Sequence, residues 1–97
     1  MNAQELILAG KGTIVDVRSH LEFSGGSVAD SINIPLDQLN KQLEMLRSLK
    51  APLILVCASG NRSGMAQNFL AENNIDCING GSWLNVNYFL SLRKDKN

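Results

Sequence analysis

The five residues Leu-Ile-Leu-Val-Cys at 53–57 carry apolar side chains at every position, so an extended backbone here is apolar on both faces. A strand of this kind has to be covered from both sides, as the interior strand of a parallel sheet is by helices packed above and below it. The rest of the chain supplies that setting. Short β-branched runs alternate with segments of helical spacing, the signature of a layered α/β domain. Ninety-seven residues make one such domain, 1–97, with a single modest core and no room for a second.

In chain order, "AQELILAG" predicts a short amphipathic helix closed by Gly10 or Gly12, and "TIVDV" (13–17) a buried strand ended by Arg18. Ser19 followed three residues later by Glu22 is the capping-box pattern, so a short helix is expected from Ser19 to the Gly25-Gly26 pair. "SINI" (31–34) reads as a second strand, ended by Pro35. Apolar residues at 36, 39, 43, 46 and 49 are spaced by three and four, which predicts one helix with one buried face, ending before Pro52. After the apolar strand, Met65, Ala66, Phe69 and Leu70 form one face of a helix that Asn73-Asn74 ends. "IDCIN" (75–79) is a last short strand, Gly80-Gly81 a tight turn, and "SWLNVNYFLSLRK" a closing helix.

Nine basic residues balance nine acidic ones, and no long run of like charge forms a footprint for nucleic acid or anionic lipid. The N-terminal segment lacks the pattern of a secretory signal, and no apolar run approaches membrane-spanning length. The expectation is a cytoplasmic monomer that binds neither nucleic acid nor membrane. Two cysteines, Cys57 and Cys77, with the single His20, match no zinc spacing; in a reducing cytosol both thiols read as free, with a disulfide between them as the alternative.

Chemistry concentrates in "CASGNRSG" (57–64). Ligands of an open parallel sheet bind outside the carboxyl ends of its strands, which is where Cys57 stands. Gly60 permits a turn that points successive N–H groups inward, and the helix that follows adds unpaired N–H groups and a positive dipole end. Such a cradle favours an anion and lowers a thiol's pKa, with Arg62 as a nearby guanidinium able to bind an anionic substrate and Ser59 and Ser63 as hydroxyl donors. On residues alone a second reading stands beside this one: Cys57 as a small buried hydrophobe at a strand end, with Gly60 and Arg62 serving an ordinary turn.

Four stretches in register resemble the rhodanese-like family of single-domain sulfurtransferases: "VDVRSHLEF" (15–23), "SINIP" (31–35), the Cys-x-x-Gly-x-Arg-Ser loop "CASGNRS" (57–63), and "INGGSWLN" (78–85). The resemblance implies a three-layer α/β domain whose central, mostly parallel sheet has four to five strands, with helices on both faces. It implies that the Cys57 thiolate takes a sulfane sulfur from a small anionic donor such as thiosulfate. The resulting persulfide gives that sulfur to cyanide, a thiol or a protein acceptor, without metal or cofactor. Backbone N–H groups of Ala58, Ser59, Gly60, Asn61, Arg62 and Ser63 would hold the sulfur anion, and the Arg62 side chain the anionic donor. Two positions depart from the family pattern, Ser27 in place of a histidine and Asp30 in place of a glycine.

Phosphatases and arsenate reductases on the same fold have five residues between Cys and Arg, where this chain has four, and the smaller loop suits a sulfur atom. A non-catalytic or sulfur-carrying interaction module is the other alternative. Asp16 and Arg18 read as a structural ion pair, Glu22 as the capping partner of Ser19, Cys77 as inert, Trp83 as core and His20 as exposed.

Overall fold

The computed structural model describes residues 1–94. Its sheet has four strands in the order β2-β1-β3-β4, all parallel: β1 (Thr13–Asp16), β2 (Ile32–Asn33), β3 (Leu53–Cys57) and β4 (Cys77–Ser82). All five residues of β3 are buried. Because successive side chains of a strand point to opposite faces, Leu53, Leu55 and Cys57 enter one apolar layer and Ile54 and Val56 the other. The first layer is completed by Val15, Val17, Leu39, Leu46, Ala66 and Leu70, the second by Leu6, Ile7, Val28 and Val86. Each such aliphatic side chain contributes about 2 kcal/mol by leaving water. The two-sided strand therefore organises both halves of the core.

Among the described residues five α-helices cover the sheet: α1 (Ala3–Ala9), α2 (His20–Gly25), α3 (Leu43–Ser48), α4 (Asn61–Glu72) and α5 (Trp83–Lys94). The capping box expected at Ser19 is formed, and a second one joins Asn2 to Glu5. Gly10 closes α1 in the left-handed region, at φ 69°. Asp30, where the family pattern has glycine, also lies at positive φ, 65°, a conformation aspartate tolerates better than most residues. No described helix is long and apolar enough to cross a membrane.

Four expectations are corrected. The segment 36–49 is two helices, a 3₁₀ helix at Leu36–Lys41 and then α3, separated by Gln42 at φ −119°. The three-residue repeat of Leu36 and Leu39 suits the tighter 3₁₀ turn, and Leu43 and Leu46 repeat that spacing after the break. In α4 the buried face is Ser63, Ala66 and Leu70, while Met65 is 56 % exposed, because the first turn presents Ser63 inward to the cysteine. The strand at 31–34 shortens to Ile32–Asn33.

The fourth correction is at Gly80-Gly81, which form no tight turn but lie inside β4. Leu55 pairs with Asn79 and Val56 with Gly81, so Gly80 is the extra residue of a β-bulge. β3 comes too close there for a side chain. A Cβ on Gly80 would stand 2.8 Å from Cγ2 of Ile54 and 3.1 Å from the carbonyl of Leu55. Gly80→Ala is accordingly expected to lower unfolding free energy by about 1–3 kcal/mol in urea titrations, as overpacking does. Gly25→Ala, at a position with nothing within 4 Å, should be neutral or slightly stabilising. Equal effects of the two substitutions would refute this account of the bulge.

Candidate active site

β3 ends at Cys57, and the chain turns through Gly60, at φ 99° and ψ −7°, into the first turn of α4. That left-handed step is cheap only for glycine, and it aims the following N–H groups back at the sulfur. Gly60 N–H donates to Cys57 Sγ at 3.0 Å and Ser63 N–H at 3.4 Å, with Ser63 Oγ at 3.3 Å. The sulfur thus sits at the positive end of a twelve-residue helix. Burial pushes the Cys57 thiol up, but the Ser63 hydroxyl and the N–H groups of Ser63, Gly60 and Ser59 together outweigh it, so its pKa lies below an ordinary thiol's. Cys77 moves the other way, raised by burial and then by Asp76.

The bulge in β4 supports this loop. Asn79 Nδ2 donates to the carbonyl of Gly60 at 3.0 Å, while Asn79 Oδ1 accepts from Gly81 N–H at 2.9 Å and from the Ser63 hydroxyl at 2.6 Å. The bonds to Gly60 and Gly81 fix which end of the amide faces Ser63. Ser63 has one hydroxyl proton and two candidate acceptors. While Cys57 is a thiol, the Ser63 hydroxyl donates to Asn79 Oδ1 and the S–H can donate to Ser63 Oγ. When the sulfur ionises, the hydroxyl can turn to it, leaving Asn79 Oδ1 bonded to Gly81.

Arg62 is already engaged. Its Nη1 and Nη2 donate to Oε1 and Oε2 of Glu22 at 2.7 and 2.9 Å, a bidentate pair between α4 and α2. Glu22 Oε1 also accepts from Ser19 N–H at 3.1 Å, closing the capping box. The Arg62 guanidinium, followed by the Ser19 N–H, holds the Glu22 carboxyl down to about 2. Under the same rim, Asp16 and Arg18 form the expected ion pair, both buried. Arg18 Nη2 reaches Asp16 at 2.8 Å and the Gly26 carbonyl at 2.7 Å, and the guanidinium lies 4.6 Å from the centre of the Trp83 ring. Trp83 packs partly buried in the second apolar layer. His20 is exposed and bonds Asn33 at 2.6 Å.

The structure therefore brings Cys57, Gly60 and Ser63 into direct contact and adds the Ser59 backbone. Ala58 is exposed on the loop and Asn61 at the first position of α4. Asn79 was missed by sequence reasoning, and so was the second role of Glu22. The one available signal was a polar residue directly before the Gly-Gly pair; a contact between residues 22 and 62 leaves no local trace. Cys57 itself is buried beneath this loop. Among the described residues no group of His, Cys, Asp and Glu is placed to hold a metal ion.

Residues 2–85 match the family described as Rhodanese-like domain. YqhL of Bacillus subtilis (strain 168) is 40% identical over 63 residues, which are 65% of this chain and 49% of that protein. The adenylyltransferase and sulfurtransferase MOCS3 of Drosophila virilis is 31% identical over 97 residues, 88% of this chain and 22% of MOCS3. The chain thus spans about half or less of the length of these two relatives. Among solved structures, a rhodanese-related protein from Thermoplasma volcanium superposes with a TM-score of 0.66 at 39% identity, covering 84% of this chain and 83% of that one.

The opposite shifts of the two thiols are open to measurement. Thiolate absorbance near 240 nm is expected to rise at lower pH in Cys77→Ser, which reports Cys57, than in Cys57→Ser, which reports Cys77. Adding Ser63→Ala to the Cys77→Ser background should move the Cys57 midpoint upward, since one donor to the thiolate is lost. A midpoint that stays or falls would mean that the hydroxyl serves only Asn79.

Proposed function

The chain belongs to the rhodanese-like domain family, and from that premise we propose that it is a sulfurtransferase of the thiosulfate sulfurtransferase type, working through a Cys57 persulfide. Sulfur transfer is supported at the level of the family by relatives such as MOCS3. The observation that carries the finer reading is the set of N–H donors converging on Cys57 Sγ, which stabilises a sulfur anion without a base.

In the reaction proposed, the Cys57 thiolate attacks the outer sulfur of a sulfane-sulfur donor, for which thiosulfate is the simplest probe. The Sγ–S bond forms as the donor's S–S bond breaks, and the electron pair leaves with sulfite. Negative charge on the persulfide's terminal sulfur is then stabilised by the same N–H groups and helix end. A thiophilic acceptor, such as cyanide, a thiol or a protein thiolate, attacks that terminal sulfur, and the pair of the Sγ–S bond returns to Cys57. No proton has to be taken from a sulfane-sulfur donor, and the chain's single imidazole, His20, is bonded to Asn33. Ser63 supplies a movable proton that follows the charge.

The alternative of an oxyanion-handling enzyme on this fold is weakened by the same geometry. Tetrahedral oxyanions are held by a free guanidinium facing the nucleophile, and here both Nη atoms of Arg62 are spent on Glu22.

Intact-protein mass spectrometry after incubation with thiosulfate, followed by peptide mapping, tests the reading. The expected result is a gain of one sulfur on Cys57 that cyanide removes. Cys57→Ser should abolish the gain, and Cys77→Ser should retain most of it. Sulfur on Cys77 instead, or none on a reduced Cys57 with any donor, would rule out the assignment.

A further inference from the structure

The loop that holds Cys57 contains one cation, Arg62, and that cation is already paired. Its two terminal nitrogens meet the two oxygens of Glu22 at 2.7 and 2.9 Å, the fork-to-fork geometry in which a guanidinium would hold an incoming oxyanion. The carboxylate is preorganised for this contact, because the capping bond from Ser19 N–H fixes it on α2. The next guanidinium, Arg18, is buried against Asp16, the Gly26 carbonyl and Trp83. His20 on α2 is bonded to Asn33. The charged groups of β1's end, α2 and the cysteine loop therefore pair off as Asp16 with Arg18 and Glu22 with Arg62. A dianion approaching Cys57 meets no unpaired cation on these elements.

We propose that Glu22 is a specificity-determining residue: by occupying Arg62 it biases the site toward hydropersulfide donors, R–S–SH, which carry at most one negative charge on the sulfur-bearing end, over dianionic donors such as thiosulfate. The proposal rests on the sulfur-transfer reading above and names the donor class for it. With a hydropersulfide the step balances as before. The Cys57 thiolate attacks the outer sulfur, the R–S–S bond breaks, the outer S–H moves with its sulfur to Cys57, and R–S⁻ leaves with the electron pair. Thiosulfate must displace the Glu22 carboxylate to gain the same guanidinium, and it also brings two charges toward a thiolate. The clasp is partly exposed, at 36 % and 38 % for its two side chains, so it is screened by salt and yields to a competing anion at high concentration. It weights donor choice without forbidding thiosulfate. Acidity releases it only as pH falls toward about 2, where the Glu22 carboxyl titrates.

Single-turnover loading of Cys57, followed by mass spectrometry of the full chain, tests this with thiosulfate and with the hydropersulfide of 2-mercaptoethanol. In Glu22→Gln the ratio of loading efficiencies, thiosulfate over hydropersulfide, is expected to rise roughly fivefold. The rise should come mainly through a lower half-saturating thiosulfate concentration, with a steeper loss of thiosulfate loading as salt is added. An unchanged ratio, or both donors slowed together, would make Glu22 a loop brace only and overturn the proposal. If Glu22→Gln melts early, Glu22→Asp keeps the charge but shortens the reach, and it should shift the ratio in the same direction by less; no shift would again overturn it. Failure of both donors to place sulfur on Cys57 in the unsubstituted protein would instead remove the sulfur-transfer reading on which the proposal stands.

Discussion

Burial of β3 on both faces determines where the nucleophile stands. Alternation along the strand puts Leu53, Leu55 and Cys57 in the layer shared with α4, and the strand ends at the sheet's carboxyl edge. A sulfur placed there has its strand neighbours on one side and the first turn of α4 on the other. The unpaired N–H groups of that turn need acceptors, and in a buried setting an orphaned N–H costs as much as a lost hydrogen bond. Cys57 Sγ is one such acceptor for Gly60 and Ser63. The features that lower the thiol's pKa therefore also satisfy the helix start.

The loop keeps its shape because a second irregularity faces it. Gly60 at positive φ lies against Gly81, whose backbone is 3.4 Å from where a Cβ of Gly60 would be, and Gly81 is itself at φ 81°. The bulge at Gly80 turns Asn79 so that one side chain ties the Gly60 carbonyl, the Gly81 N–H and the Ser63 hydroxyl. Three otherwise separate backbone and side-chain groups are thus tied to one amide. Among the described residues no buried side-chain polar atom is left without a partner. That matters most in a site where an unpaired group costs about 1–3 kcal/mol.

Much of this was legible in the residues. Five apolar positions in a row announced the buried strand, Ser19 and Glu22 announced the start of α2, and Cys57 with Gly60 announced a cradle. These are signals whose cause lies within a few residues. The failures lay where the deciding contact is distant. Nothing local in "INGG" separates a turn from a bulge, because the difference is the pairing with β3. Met65 has the spacing of a core residue and is exposed, since α4 is rotated by the need to bring Ser63 to the sulfur. Arg62 read as a free cation because its partner sits forty residues away on another helix.

Two arginine–carboxylate pairs lie along the same rim, and their surroundings give them different work. Asp16–Arg18 is buried, and either partner alone would be an uncompensated charge costing about 3–5 kcal/mol, so this pair is a fixture of the fold. The Gly26 carbonyl and the Trp83 ring complete its coordination, which joins β1 to the loop after α2 and to the start of α5. Glu22–Arg62 stands partly in water, where exchange with solvent and ions is easy and the pair adds little to stability. A pair that contributes little to folding and lies beside the nucleophile is free to serve recognition. Its orientation is nonetheless determined, by a capping box on one side and the first turn of α4 on the other. The rim thus combines a rigid base with a displaceable contact above it, and any partner that opens the way to Cys57 has to come to terms with the second and not the first.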